Sequence, residues 1–276
     1  MATERSPISF ADFEAGLAEL DGKTEFLNVM IYGDSAVGKT HLAGTLPGRI
    51  LILAGEPGYV SAANAGAKGQ VRLIPDPATA SAAISWLEAG NVSRYDWVVV
   101  EGLSTLQNKF LLAYCAEAFD ANPAKRTHRN LPDKPDYFNA QNMMKSLTSR
   151  FVDLPVNVLF TTHAMRPEND EGELLVLPAI QGKGYEVSNF VSGQMYLVGY
   201  MAPRLIRKQG EEPKQVRRIL WQTIKDAKTD TIYYAKDQSN RLGRYTDDLS
   251  MPEILQMVRG ESEPATIRPS RRRAGK

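Results

Sequence analysis

Short unbroken apolar runs alternate along this chain with stretches in which apolar residues recur at helical spacing. Leu27–Tyr32, Ile50–Ala54, Val71–Ile74, Trp97–Val100 and Asn157–His163 have the length and composition of strands. Between them, His41–Leu46, Ala78–Ala89, Leu103–Phe119 and Tyr137–Phe151 show helical periodicity. Unalternating apolar runs suit strands covered on both faces, and strands alternating with helices predict an α/β fold with a largely parallel sheet.

The pattern changes at either side of this core. Residues 1–25 form a prelude in which Ser9 and Asp12 suggest a helix cap and Phe10, Phe13, Leu17 and Leu20 share one face. This face serves either the chain's own core or a second subunit. The stretch 120–136, with three prolines, predicts an exposed loop. Arg166–Gly184 is polar around Leu174–Leu177. Gln194–Leu205 and Val216–Thr223 flank the turn cluster Gln209–Pro213 and predict a hairpin, followed by a short strand at Thr231–Ala235 and a helix at Pro252–Val258. The expected sheet is therefore mostly parallel, flanked by helices and extended by antiparallel C-terminal strands. The main domain spans 26–260, and 261–276 reads as a disordered basic tail.

Composition sets limits rather than function. Of 276 residues, 43% are hydrophobic and 24% charged, enough for one sizeable core. A net charge of +1 makes any polyanion binding a matter of local patches. The single cysteine, Cys115, excludes an intrachain disulfide and a multi-cysteine metal site. With no signal-like N-terminus and no run of membrane-span length, a cytoplasmic protein without a membrane partner is expected.

The chemistry concentrates where the first strand meets its helix. Gly33-Asp34-Ser35-Ala36-Val37-Gly38-Lys39-Thr40 has the form G-x-x-x-x-G-K-[ST] in strand–loop–helix context. Such glycines let backbone N–H groups converge on phosphates, with the stretch running on through His41 at the start of the helix. Lys39 would reach the β- and γ-phosphates and Thr40 would ligate Mg²⁺. Three polar residues stand at the ends of other strands, the edge where α/β proteins bind ligands. Glu101 reads as an Mg²⁺-holding acid or as a cap for the next helix. Glu56 reads as the group that orients or deprotonates a water, or as a solvated turn residue. His163 reads as a γ-phosphate sensor or a structural histidine.

Basic residues fall in three clusters: Lys125, Arg126, Arg129 and Lys134; the hairpin set Arg204, Arg207, Lys208, Lys214, Arg217 and Arg218; and the tail arginines with Lys276. Each reads as a solubilising surface or as a phosphate-backbone contact.

Gly33–Thr40, Glu56, Tyr95–Glu101 and Thr161–His163 together resemble the core of RecA-like ATPases. They are most similar to compact phage-encoded AAA-type nucleotide-binding proteins, including the Sak-four group of single-strand annealing and recombination proteins. Leu177–Gly184 and Ala235–Gln238 are similar to stretches found there. The resemblance implies a RecA-like P-loop NTPase core using ATP and Mg²⁺, with Lys39, Glu56, Glu101 and His163 in catalytic roles. Glu101 stands where the family has aspartate. It also implies DNA-facing loops at 120–136 and 166–184, adding Arg166 and Lys183 to the candidates for single-stranded DNA. A homo-oligomeric ring or filament with nucleotide at the interface is expected, with a cognate single-strand binding protein as a further partner.

Two other readings remain. One is a nucleotide-gated switch with negligible hydrolysis. The other is a small GTPase, disfavoured because Glu101-Gly102-Leu103-Ser104 is not Asp-x-x-Gly and the Asn108-Lys109 pair lies inside a helix.

Overall fold

The computed structural model describes residues 9–17, 24–207 and 212–263, without the side chains of Asp12 and Phe13. In chain order the first elements are α1 (Phe10–Ala15), β1 (Asn28–Tyr32), α2 (Lys39–Ala43), β2 (Arg49–Ala54), α3 (Tyr59–Asn64), β3 (Lys68–Leu73) and α4 (Pro77–Glu88). There follow β4 (Trp97–Glu101), α5 (Leu103–Ala121), α6 (Lys134–Val152), β5 (Asn157–Thr162), β6 (Ala164–Met165), β7 (Leu175–Pro178) and α7 (Glu186–Gly193). The C-terminal part holds β8 (Leu197–Ile206), β9 (Lys214–Leu220), β10 (Ile224–Asp226), β11 (Thr231–Tyr233), β12 (Lys236–Asp237), β13 (Tyr245–Asp247) and α8 (Met251–Arg259).

The main sheet runs β13-β9-β8-β1-β5-β4-β2-β3, with β12 pairing β8. From β3 to β8 every pairing is parallel, and β9 and β13 then add antiparallel strands. This is the mostly parallel, helix-flanked α/β sheet expected of a RecA-like P-loop fold. Alternate residues of each central strand enter opposite cores. Met30, Tyr32, Val98, Val100, Val158 and Phe160 pack under α4–α7, whereas Val29, Ile31, Trp97, Val99 and Leu159 pack under α2, α3 and α8. Each such buried side chain contributes about 1.5–3 kcal/mol, so the two faces together fix the register of the sheet.

A second, four-stranded sheet, β10-β11-β7-β6, stands beside the first. The predicted strand at Thr231–Ala235 belongs to this sheet, where β11 runs parallel to β7. Tyr32 joins the two sheets: its buried hydroxyl lies 2.9 Å from the Val176 carbonyl and 2.5 Å from that of Tyr234.

Three local expectations are corrected. The loop expected over 120–136 is shorter, because α5 continues to Ala121 and α6 starts at Lys134. Pro135 fits the first helical turn, and a capping box between Asp133 and Asp136 satisfies the exposed amides there. Second, α7 is a helix that the apolar spacing does not predict. Its buried positions are Val187, Ser188, Val191 and Ser192, so two serines interrupt the apolar stripe. Third, α2 begins at Lys39 rather than His41 and ends at Ala43.

Phe10 and Leu17 are 91% and 67% exposed, so the described part of the prelude leaves these two apolar groups uncovered. The side chain of Phe13, residue Leu20, the turn residues 208–211 and the basic tail from 264 onward lie outside what is described. No described helix is long and apolar enough to cross a membrane.

Candidate nucleotide site

The loop after β1 curls back on itself. Ala36 and Gly38 both take positive φ, at 61° and 101°. Lys39 folds over the loop it follows, its Nζ donating to the carbonyls of Gly33 at 3.0 Å and Asp34 at 2.7 Å. Burial pushes the Lys39 ammonium below its ordinary pKa, against the charges of Glu56, Asp34 and Glu101, which raise it. An ammonium held in this way is ready to exchange carbonyl partners for phosphate oxygens.

Parallel pairing brings the other polar strand ends to this loop. β4 lies between β2 and β5, with Ala54 in register with Glu101. Glu101 is 1% exposed, and Thr40 donates its hydroxyl to Oε1. Oε2 is buried with no hydrogen-bond partner among the described residues. Burial raises the Glu101 pKa above the usual carboxylate range, opposed by the Thr40 hydrogen bond and assisted by the charge of Glu56. A buried carboxylate with one orphaned oxygen, beside a hydroxyl, is a fitting place for a hard cation. Among the described residues no cluster of three or more acidic, histidine or cysteine side chains could hold a metal. An ion here would therefore draw most ligands from phosphate and water, as Mg²⁺ commonly does.

Glu56 follows β2 and is partly exposed. Its Oε2 accepts the Thr105 hydroxyl at 3.3 Å, while Oε1 lies beside Gly102. The backbone of Gly102 donates to Thr161 Oγ1 at 3.0 Å. At the tip of β5, Ser104 Oγ accepts from the Thr162 hydroxyl and the His163 amide, each at 3.2 Å. Ser35, Ala36, Gly38–His41, Glu56–Gly58, Thr161, Thr162 and His163 line one open cleft of about 390 Å³. Lys39, Thr40, Glu56 and His163 thus stand around one space, with Glu101 buried behind Thr40.

Several contributors carry no signal in the motif pattern. Gly58 has ordinary helical φ of −61°, yet a Cβ there would lie 2.6 Å from Glu101 Oε1 and 3.5 Å from Thr40 Oγ1. Its missing side chain leaves room for the longer acid at position 101. Gln107 makes a two-point clamp on Gln181: Nε2 donates to its carbonyl at 2.8 Å, and Oε1 accepts its amide at 2.7 Å. Here one signal is visible, because Gln107 is a polar residue among Leu103, Leu106, Phe110 and Leu111 on the buried side of α5. Asp34 carries a second tie, to Arg166 Nη2 at 2.8 and 2.6 Å.

The basic candidates separate into two groups. Arg126 grips the buried Asp136 at 2.5 and 2.9 Å, Arg129 grips Asp120 at 3.0 and 2.8 Å, and Arg166 holds Asp34. Lys125, Lys134 and Lys183 form the other group, and all three are exposed.

Among solved structures, the chain is similar to the flagellar accessory protein FlaH from Methanocaldococcus jannaschii, at 10% identity and a TM-score of 0.36, covering 71% of this chain and 79% of that one. It is also similar to a second solved structure, described as an ATPase domain, at 11% identity and a TM-score of 0.38, covering 72% and 77%. A comparison with curated proteins finds no match. Residues 25–239 match the AAA domain family, and with its intact P-loop the chain belongs to that family of P-loop ATPase-like domains.

Proposed function

We propose that this protein binds ATP with Mg²⁺, hydrolyses its β–γ bond, and couples that cycle to binding single-stranded DNA in annealing or recombination. The observation that carries the catalytic part is the gathering of Lys39, Thr40, Glu56 and His163 around one open cleft, with Glu101 hydrogen-bonded to Thr40. Lys39 would trade its loop carbonyls for β- and γ-phosphate oxygens. Thr40 and Glu101 would hold Mg²⁺, which would supply positive charge to offset that of the phosphates. Glu56 has one oxygen held by Thr105 and the other beside Gly102. It would orient the attacking water and take its proton as the oxygen bonds to the γ-phosphorus, with ADP leaving. His163, at the tip of β5, would donate to the γ-phosphate.

The DNA part rests on resemblance to RecA-like recombination proteins and on the lysines at 125, 134 and 183. Assembly into a ring or filament is part of the same proposal, supported by the uncovered Phe10 and Leu17. Substituting Glu56→Gln tests the assigned chemistry. Hydrolysis should fall by at least about a hundredfold while ATP binding stays within a few-fold. Unchanged hydrolysis would remove Glu56 from the mechanism, and negligible hydrolysis by the wild type would favour a switch that uses ATP only for binding.

A further inference from the structure

The hairpin arginines found in the sequence are not absorbed by the site described above. One of them touches the P-loop. Arg217, on β9, lays its side chain across Gly38: its Cδ and Nη1 lie 3.2 and 3.5 Å from where a Cβ on Gly38 would stand. The approach depends on glycine twice, since φ of 101° already disfavours a side chain at this position.

Arg217 and its neighbour Arg218 are placed differently. Arg218 is committed: it pairs in two-point fashion with Asp247 at 2.7 Å through both Nε and Nη2, and stacks 3.6 Å from the centre of the Tyr245 ring. Among the described residues Arg217 has only a long ionic contact to Asp248, 3.9 Å from Nε to Oδ1, and its side chain is 39% exposed. Its backbone is fixed, however. The Arg217 amide donates to Asp248 Oδ1 at 2.8 Å, and the Asp248 amide donates to the Arg217 carbonyl at 2.9 Å. The result is a firmly rooted arginine whose guanidinium is largely available.

Its direction matters. Glu56, Glu101 and His163 stand at the ends of β2, β4 and β5, which lie on one side of β1 in the sheet. β8 and β9 lie on the other side. A nucleoside triphosphate with its γ-phosphate toward Glu56 would carry its α-phosphate and nucleoside away from the acids, toward the β8–β9 flank. A guanidinium there suits an anionic oxygen through charge-assisted hydrogen bonds.

We propose that Arg217 contacts the nucleoside-side end of the bound phosphate chain, making it a nucleotide-positioning residue supplied by the C-terminal hairpin. This inference rests on the P-loop reading above and adds a second wall to that site. The test is calorimetric binding of Mg²⁺-ADP and Mg²⁺-pyrophosphate to wild type, Arg217→Ala, Arg217→Lys and Lys39→Ala. Arg217→Ala should weaken ADP by about tenfold and change pyrophosphate by less than about twofold, with Arg217→Lys recovering part of the loss. Unchanged ADP affinity would overturn the proposal. So would equal weakening of both ligands, which would mean that Arg217 merely supports the loop. A wild type that binds neither ligand, or a Lys39→Ala variant that binds both normally, would overturn the P-loop reading itself and this inference with it.

Discussion

Arg166 sets a single guanidinium nitrogen between the two carboxylate oxygens of Asp34, 2.8 and 2.6 Å away, although the residues are separated by 132 positions. Asp34 is the second residue of the P-loop, so its carboxylate adds negative charge beside the proposed phosphate site. The Arg166 hydrogen bonds hold its pKa below the usual carboxylate range, and thus keep it ionised. Both side chains are about half exposed, so the pair adds little to folding stability. In the proposed function Arg166 balances the Asp34 charge beside the phosphates. Arg166→Ala should weaken ATP binding on the order of tenfold by uncovering the Asp34 charge. Asp34→Asn combined with it should restore most of the loss. Calorimetric titration of the two single variants and the double variant checks this; equal losses without rescue would assign Arg166 a different task.

Glu101 gives a prediction in which stability and binding move in opposite directions. Its folded pKa is raised, mainly by burial. The folded state therefore binds the proton more tightly than the unfolded one, and the ionised form penalises folding above the raised pKa. Lowering pH through that value relieves the penalty. Glu101→Gln removes the penalty at neutral pH and can still accept the Thr40 hydroxyl. The metal-free variant should unfold at the same temperature as wild type or higher. Its ATP affinity should respond to Mg²⁺ more weakly than that of wild type. A lower midpoint together with intact Mg²⁺ dependence would contradict the metal assignment.

Gly58→Ala probes the space around the same acid. The backbone there accepts alanine, which by itself stabilises by about 0.4–1 kcal/mol through the unfolded chain. The added methyl would stand 2.6 Å from Glu101 Oε1. Mg²⁺-ATP affinity should fall on the order of tenfold while the unfolding midpoint changes little. Undiminished affinity would show that Glu101 can move aside without cost.

The loop before α6 carries a pH signature. Asp136 is 1% exposed, and Arg126 hydrogen bonds hold its pKa down. Such a group contributes stability above its unfolded pKa and loses it as pH falls through the folded value. Asp136→Asn should lower the unfolding midpoint at neutral pH by several degrees and flatten the acid side of the stability profile, because it strands a nearly buried guanidinium. A profile parallel to that of wild type would place the acid sensitivity elsewhere.

The parts of the site that are legible in the sequence are those set by local grammar. A P-loop is contiguous, and Glu56, Glu101 and His163 each stand at the end of an apolar run, so a parallel sheet carries them to one edge. Gly58, Gln107, Arg166 and Arg217 act through space. Gln107 meets Gln181 across 74 positions, and Arg217 meets Gly38 only after β8 and β9 have folded beside β1. No local pattern encodes such meetings. The same reason explains β11: its strand character is readable, but its partner β7 in the second sheet is not. Ser188 and Ser192 conceal α7 by placing hydroxyls on its buried side.

The most direct test of the account is the ATP hydrolysis rate of wild type and Lys39→Ala, each with and without single-stranded DNA, at two salt concentrations. The account predicts a wild-type rate that rises with DNA, an increment that shrinks at higher salt, and a loss of at least about a hundredfold on Lys39→Ala. A Lys39→Ala rate equal to wild type would contradict the catalytic site. A wild-type rate indifferent to DNA would contradict the coupling and leave an ATPase whose partner is a protein.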